Sequence, residues 1–168
     1  AMLDDLLATP ERTVDADAVR DGWARLARND PAAALERYAG LTARSASPDD
    51  TVELSLGLAL GLAWDRRPEA LEYFARVPEA ALDDTAREWQ ARAALWAGQW
   101  DLVSIAIGAM SEQRRAQPAW RYWAARAAAG RGERAQAEAL YGAIVGTDNY
   151  YAAMAALRLG ERVVPSAM

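Results

Sequence analysis

Tryptophan and arginine recur at matching positions in two segments of this chain. The segment REWQARAALWAG, residues 87–98, has a counterpart in RYWAARAAAGRG, residues 121–132, which begins 34 residues later. An indole face can stack on a flat surface such as a sugar ring, and a guanidinium binds carboxylates in a planar, bidentate geometry. The same side chains also pack helices together, with arginine lying over the indole. The two segments therefore indicate either a repeated ligand surface or a repeated packing unit.

The candidate ligand contacts lie in these segments or directly beside them. They are Arg87, Trp89, Arg92, Trp120, Arg121, Trp123 and Arg126. On a helix, Arg92 follows Trp89 by about one turn and Arg126 follows Trp123 in the same way, so each guanidinium can lie against an indole. Glu88 precedes Arg92 by four residues, a spacing that favours an ion pair. The types and spacing of these residues leave both interpretations open.

Several kinds of catalytic chemistry are excluded by composition. The chain has no His and no Cys, which removes His-based triads, the usual zinc sites and thiolate chemistry. The acidic pairs at residues 49–50 and 83–84 stand where helices are predicted to begin, so we expect them to act as N-terminal charges. The glycines match no phosphate-binding motif. We therefore expect no active site, metal or cofactor within this chain.

Charge and hydropathy narrow the classes of partner. The net charge is -5 and the sequence pI is about 4.8, which argues against nucleic acid even though Trp and Arg are frequent. The longest apolar run, residues 54–64, is shorter than the roughly 20 residues of a membrane span, so no transmembrane segment is expected. Ala1 before Met2 is typical of a residue left by an expression vector. We therefore expect the chain to be a piece of a longer protein.

The predicted secondary structure is helical throughout. The chain is rich in Ala, its 19 basic residues are all Arg, and β-branched residues are scarce. Start and stop signals recur along it. They are Asp30–Pro31 to Gly40, a start at Ser47–Pro48, Pro68 to before Pro78, a Thr85/Glu88 capping box closing at Gly98, Pro118 to Gly130, and about Gly132 to Gly146. The short intervals between them predict antiparallel helical hairpins.

These hairpins repeat in register. A small residue at Ala34, Ala70, Val103 and Ala137 is followed four positions later by a large one, at Tyr38, Phe74, Ile107 and Tyr141. A period near 34 residues with two helices per unit is typical of tetratricopeptide-like solenoids. The predicted fold is an all-α, right-handed superhelix of roughly four hairpins plus a terminal helix. It would span residues 15–160, after an N-terminal lead-in at 1–14.

The last third of the sequence resembles a known family. Its motifs are WRYWAARA at residues 120–127, AEALY at 137–141, YY at 150–151 and RLG at 158–160. Together they are similar to the superhelical region of soluble lytic murein transglycosylases. The earlier repeats resemble that region from about Leu54 onward and more loosely before it. Ala152 and Ala153 depart from the family, which often has Gly after the tyrosine pair.

The resemblance implies a function that the residues alone do not. Members of the family are periplasmic enzymes of Gram-negative bacteria that cleave the MurNAc-GlcNAc bond of peptidoglycan and leave 1,6-anhydromuramoyl ends. Their catalytic Glu lies in a Glu-Ser motif of a separate lysozyme-like domain, and no Glu of this chain is followed by Ser. The resemblance thus implies a periplasmic, non-catalytic domain that presents glycan strands.

The same resemblance suggests partners and leaves an alternative. The expected partners are peptidoglycan glycan strands and the linker and catalytic domains of the same polypeptide, with the linker beginning at residues 161–168. The alternative is a stand-alone tetratricopeptide-like adaptor that binds a peptide in its groove.

Overall fold

A computed structural model describes residues 2–9, 15–45, 47–147 and 149–160. In this part of the chain the regular structure consists of α-helices and one 3₁₀ turn, with no strand. The chain divides into two compact units, Ala1–Trp96 and Ala97–Met168. The all-α prediction is thus confirmed, and each unit is built from helices joined by short turns.

The first unit packs its helices around the long helix α4. Helices α2, α3, α5 and α6 all contact α4, and α1 contacts α2. The elements are α1 (Met2–Ala8), α2 (Ala16–Asn29), α3 (Pro31–Thr42), α4 (Pro48–Trp64), α5 (Ala70–Phe74), the 3₁₀ turn Glu79–Ala81 and α6 (Asp84–Trp96).

The second unit is organised around α9 in the same way. Helices α7, α8, α10 and α11 all contact α9, and α10 also contacts α11. The elements are α7 (Trp100–Gly108), α8 (Glu112–Arg115), α9 (Pro118–Gly130), α10 (Arg134–Gly142) and α11 (Tyr150–Leu159).

Proline and capping residues set the beginnings of α3, α4 and α9 as predicted. The Asp30 side chain accepts a hydrogen bond from the amide of Ala33, with Pro31 in the first turn of α3. Ser47 and Asp50 form a reciprocal capping box at α4. Helix α9 runs from Pro118 to Gly130, as the sequence predicts. Capping residues satisfy amides that have no partner inside the helix, which is why they locate these boundaries.

Other predicted boundaries are wrong. The Thr85/Glu88 capping box does not form, because the side chain of Asp83 accepts the bond from the amide of Ala86 at 2.7 Å and leaves Thr85 inside α6. Gly40 lies inside α3 instead of ending it, and a Cβ there would meet the Leu7 side chain of α1 at 2.9 Å. Helices α5 and α10 are also shorter than predicted, at Ala70–Phe74 and Arg134–Gly142.

The repeated column of small and large residues lies in the core. All eight residues of the column are buried, from Ala34 and Tyr38 of α3 to Ala137 and Tyr141 of α10. The small member lets the helix approach its neighbour closely, and the large member one turn later fills the space beside it. The repeat therefore marks the buried face of one helix in each hairpin.

A glycine in each unit allows a tight approach between helices. In the first unit, a Cβ on Gly61 of α4 would lie 2.0 Å from the carbonyl oxygen of Ala27 in α2. In the second, a Cβ on Gly130 of α9 would lie 2.4 Å from the ring of Trp100 in α7. The first contact is made by backbone and the second by a side chain.

The predicted lead-in contributes to the first core. Residues 2–8 form α1, whose Leu3 and Leu6 are buried against the rest of the unit. Apolar burial thus fixes this segment to the hairpins that follow it. The rest of the lead-in at residues 10–14 and the predicted linker at 161–168 lie outside the described residues.

Candidate ligand-binding surfaces

Arg87 is a buried residue of the first unit. It is 3% exposed, and its guanidinium donates to the side-chain carboxylate and the backbone carbonyl of Glu79, the latter at 3.0 Å, and to Gln90 Oε1 at 3.2 Å. Charge-assisted hydrogen bonds of this kind hold a buried cation that would otherwise be costly to remove from water. Arg87 thus ties the 3₁₀ turn to α6 from inside the unit.

Trp89 and Arg92 lie half-buried on the same helix. The guanidinium carbon of Arg92 stands 4.9 Å from the centre of the Trp89 ring, and the Arg92 side chain pairs with Glu88 at 3.2 Å. Both contacts are those predicted from the spacing. Trp89 also packs partly on the first core, so its indole supports the fold and leaves one part at the surface.

Trp64 extends this site beyond α6. Its ring meets that of Trp89 edge-to-face, with centroids 6.1 Å apart, and Arg28 of α2 lies 5.2 Å from the Trp64 ring centre. Trp64 is 37% exposed. Arg28, Trp64, Trp89 and Arg92, called here the aromatic patch, therefore form a continuous set of rings flanked by two guanidinium groups.

The four candidates on α9 have different surroundings. Trp120 is 4% exposed, whereas Trp123 is half-buried and meets Tyr122 edge-to-face at 5.4 Å between centroids. The guanidinium of Arg126 lies 5.8 Å from the ring centre of Trp100 in α7. The predicted stacking of Arg126 on Trp123 is wrong, because the neighbouring helix supplies the indole instead.

Trp120 and Arg121 line a depression in the second unit. This depression, of about 320 Å³, is bounded by α7, α9 and α10 together with Arg115 and Arg131. We call it the basic groove, because three arginines and no Asp or Glu are found among the described residues that line it. Local positive charge of this kind is unexpected in a chain with a net charge of -5.

Backbone carbonyls hold two of these arginines in place. Arg121 donates to the carbonyl of Ala143 at 2.6 Å, and Arg115 donates to the carbonyl of Gly108 at 3.3 Å. Neither has a carboxylate partner within the described residues. Arg131 is different, since it pairs with Glu133 at 2.5 Å. The groove therefore contains two positioned cations whose charge is not neutralised.

Tyr141 of α10 is a polar group of the same unit that burial perturbs. Burial raises the pKa of its phenol, because the charged form is disfavoured away from water, and Arg126 offsets part of this effect. The hydroxyl is buried and has no hydrogen-bond partner in the part of the chain that the structure describes. Tyr141 thus stays neutral and serves the core through its ring.

Sequence reasoning missed four residues of these surfaces. They are Arg28 and Trp64 of the aromatic patch and Arg115 and Arg131 of the basic groove. The 34-residue repeat was the only sequence signal for these surfaces. It did not reveal the four residues, because the patch and the groove each combine residues from several helices. Residues brought together from different helices are not apparent from spacing within one segment.

No metal-binding cluster and no membrane-spanning helix is found in the part of the chain that the structure describes. No group of three or more Asp, Glu, His or Cys side chains in that part of the chain is arranged to hold a metal ion. None of its helices combines the length and the apolar composition needed to cross a bilayer.

Comparison with known proteins finds relatives among solved structures. No protein-family model matches the sequence, and no curated protein matches it significantly. An inactive mutant of the lytic transglycosylase Slt from Pseudomonas aeruginosa matches with a TM-score of 0.76 and 30% identity, over 89% of this chain and 25% of that protein. The 70-kDa soluble lytic transglycosylase from Escherichia coli matches with a TM-score of 0.66 and 23% identity, over 95% of this chain and 27% of that protein.

A third match supports the same assignment of fold. It is the 70-kDa soluble lytic transglycosylase in complex with bulgecin A, with a TM-score of 0.65 and 21% identity, over 98% of this chain and 29% of that protein. The chain thus spans between a quarter and a third of the length of these structures. Over most of its length it is similar to an all-α superhelical part of soluble lytic transglycosylases, which confirms the family resemblance predicted from the sequence.

Proposed function

We propose that this chain is a non-catalytic helical domain of a peptidoglycan lytic transglycosylase, located in the periplasm. It organises or presents glycan strands to a catalytic domain elsewhere in the same polypeptide. The observation that carries the proposal is the aromatic patch, because the exposed Trp64 ring meets Trp89 between Arg28 and Arg92.

The chemistry of the patch suits a glycan. The apolar face of a pyranose ring packs on an indole, and the guanidinium groups beside it can donate to hydroxyl and carboxylate oxygens. A strand of alternating sugars offers both features at regular intervals. The similarity to lytic transglycosylases supports this choice of polymer over other glycans.

The proposal is tested by sedimentation of the 168-residue chain with insoluble peptidoglycan. We expect Trp64→Ala to weaken binding about tenfold, which corresponds to about 1.4 kcal/mol of lost contact. Glycan strands freed of their stem peptides should compete with the insoluble polymer, because the patch contacts sugar.

An exposed aromatic residue of the other unit provides the matched control. Tyr150 of α11 is 68% exposed and lies outside the patch, so Tyr150→Ala should bind as the wild type does. Circular dichroism must show that both variants keep their helix content. Equal binding by Trp64→Ala and the wild type contradicts the proposed patch. Failure of the wild-type chain to sediment contradicts the glycan function and favours the adaptor interpretation.

A further inference from the structure

The basic groove contains cationic groups that the proposed function does not use. Arg115 and Arg121 are each fixed by a backbone carbonyl and have no carboxylate partner among the described residues. Other arginines of the chain, such as Arg37 and Arg67, pair with carboxylates of their own unit. Two positioned guanidinium groups without counter-charge are suited to bind an anion from outside.

The groove extends along α9 and is larger than a simple ion requires. Arg121 lies in the first turn of this helix and Arg131 follows its last residue, so about 15 Å of helix separates them. Ala124 of α9 and Leu140 of α10, which are both partly exposed, provide apolar walls between these ends. An inorganic anion beside Arg121 would leave these walls uncovered, whereas an anion with an apolar body would cover them.

The far end of the groove contains an unsatisfied donor. The Nε–H of Arg131 is buried and has no acceptor within the described part of the chain, although another nitrogen of its guanidinium pairs with Glu133. An unpaired buried donor is costly. The Arg131 side chain as a whole is 22% exposed and lines the groove, so its other N–H groups can donate to an oxygen that a ligand carries some distance from its anionic group.

We propose that the basic groove binds a carboxylate-bearing organic acid. Arg115 and Arg121 hold the carboxylate, and the body of the ligand extends along α9 over Ala124 and Leu140 towards Arg131. This binding uses only residues of the second unit. It is independent of the aromatic patch, so the glycan proposal can fail while this one holds.

The test is NMR titration of the ¹⁵N-labelled 168-residue chain, following the backbone amide signal of Ala124, which lines the groove and is kept in every variant. Two acids distinguish the sources of carboxylate: N-acetylmuramic acid represents a sugar acid, and N-acetyl-dialanine represents a peptide carboxyl terminus. Their neutral counterparts are N-acetylglucosamine and N-acetyl-dialanine amide. We expect at least one acid, and neither neutral compound, to cause a saturable shift.

Variants that each remove one positive charge distinguish binding in the groove from a general effect of the protein's charge. Arg121→Met should weaken binding of the acid about tenfold, as expected for loss of a charge-assisted hydrogen bond. Arg115→Met removes a second positive charge from the same groove and should also weaken binding of the acid. Arg134→Met removes the same charge from an exposed position of α10 outside the groove, and should leave binding unchanged.

The outcomes decide the proposal. Saturable binding of an acid that both groove variants weaken and the Arg134 variant does not supports it, and the acid that binds identifies the source. The proposal is overturned if neither acid shifts the signal or if the neutral compounds bind equally well. It is also overturned if inorganic phosphate at the same concentration has the same effect, since the groove would then recognise charge alone.

Discussion

Helices α6 and α9 occupy the same place in two successive repeats but use their first arginine in opposite ways. Ala91 and Ala94 of α6 are buried, as are their counterparts Ala125 and Ala128 of α9, 34 residues later. Arg87 and its counterpart Arg121 share this spacing, yet Arg87 is 3% exposed and bonded to Glu79 while Arg121 lines an open groove.

The segment before each helix accounts for this difference. Helix α6 follows a 3₁₀ turn that begins at Glu79, so a carboxylate and a carbonyl are available to Arg87. Helix α9 follows α8, which ends in Arg115 and supplies a second cation instead. The repeat thus fixes where the helix lies, and the connecting segment determines whether its arginine stabilises the fold or lines an open groove.

Gly61 and Gly130, which lie where two helices approach closely, extend the comparison of the two units to packing. Their substitution gives the largest expected difference in the free energy of unfolding. In Gly61→Ala the new methyl would overlap the carbonyl oxygen of Ala27, which is backbone and cannot rotate away. We expect a loss of about 3 kcal/mol in the free energy of unfolding. Urea denaturation followed by far-UV circular dichroism measures it.

Gly130→Ala is the matched variant in the second unit. The methyl there would meet the Trp100 ring, which can turn, and alanine raises helix propensity by up to about 1 kcal/mol. The expected loss is therefore smaller, about 1 kcal/mol or less. A Gly130→Ala variant as unstable as Gly61→Ala would show that both contacts are equally rigid and that this part of the comparison is wrong.

Substitution of Arg87 and Arg121 gives the next largest expected difference in the free energy of unfolding. Arg87→Met removes hydrogen bonds from a buried cation to Glu79 and Gln90, and we expect it to lower the free energy of unfolding by about 1 to 2 kcal/mol. Arg121→Met removes one bond at the surface of a groove and should change it by less than about 0.5 kcal/mol. Both values are obtained from the same denaturation experiment.

Glu79→Gln distinguishes the hydrogen bond of Arg87 from the charge of its partner. The amide oxygen can still accept a hydrogen bond from Arg87, so most of the stability should be kept while the charge is lost. Equal losses for Arg87→Met and Arg121→Met would contradict the assignment of a structural role to the first and a surface role to the second.

Much of the fold follows from features that are local in the sequence. Pro31, Ser47 and Pro118 mark helix beginnings because a cap or a missing amide acts within one turn. The column from Ala34 to Tyr141 predicts the buried face because its spacing repeats in every hairpin. The Thr85 cap was predicted wrongly because Asp83, two residues earlier, satisfies the same kind of amide.

The aromatic patch and the basic groove were predictable only in part. The pairing of Arg92 with Glu88 and Trp89 lies within one helix, and its spacing was sufficient. The contact of Trp64 with Trp89 and the presence of Arg115 and Arg121 in one groove depend on how separate helices pack. Exposure of an indole is likewise decided by its neighbours, so the sequence could not separate Trp120 from Trp64.

Substitutions of the residues that precede α6 and α9 give the smallest expected effect on the free energy of unfolding. Asp83 caps α6, whereas Gln117 precedes α9 without a side-chain capping bond in the described structure. Its backbone, at φ -62° and ψ 137°, already has the extended form of a capping residue, and Pro118 follows it. Gln117→Ser should therefore raise the free energy of unfolding by roughly 0.5 to 1 kcal/mol, and Asp83→Ala should lower it by about 1 kcal/mol.

Gln117→Ala is the control for this change, because it removes the amide side chain without adding a cap and should leave stability nearly unchanged. If Gln117→Ser is no more stable than Gln117→Ala, the amides at the start of α9 are already satisfied and the two helices do not differ in capping. If it is more stable, capping adds to the differences set by the segments before the helices. Because Gln117→Ser changes no charge, it should not alter binding of the acids to the basic groove.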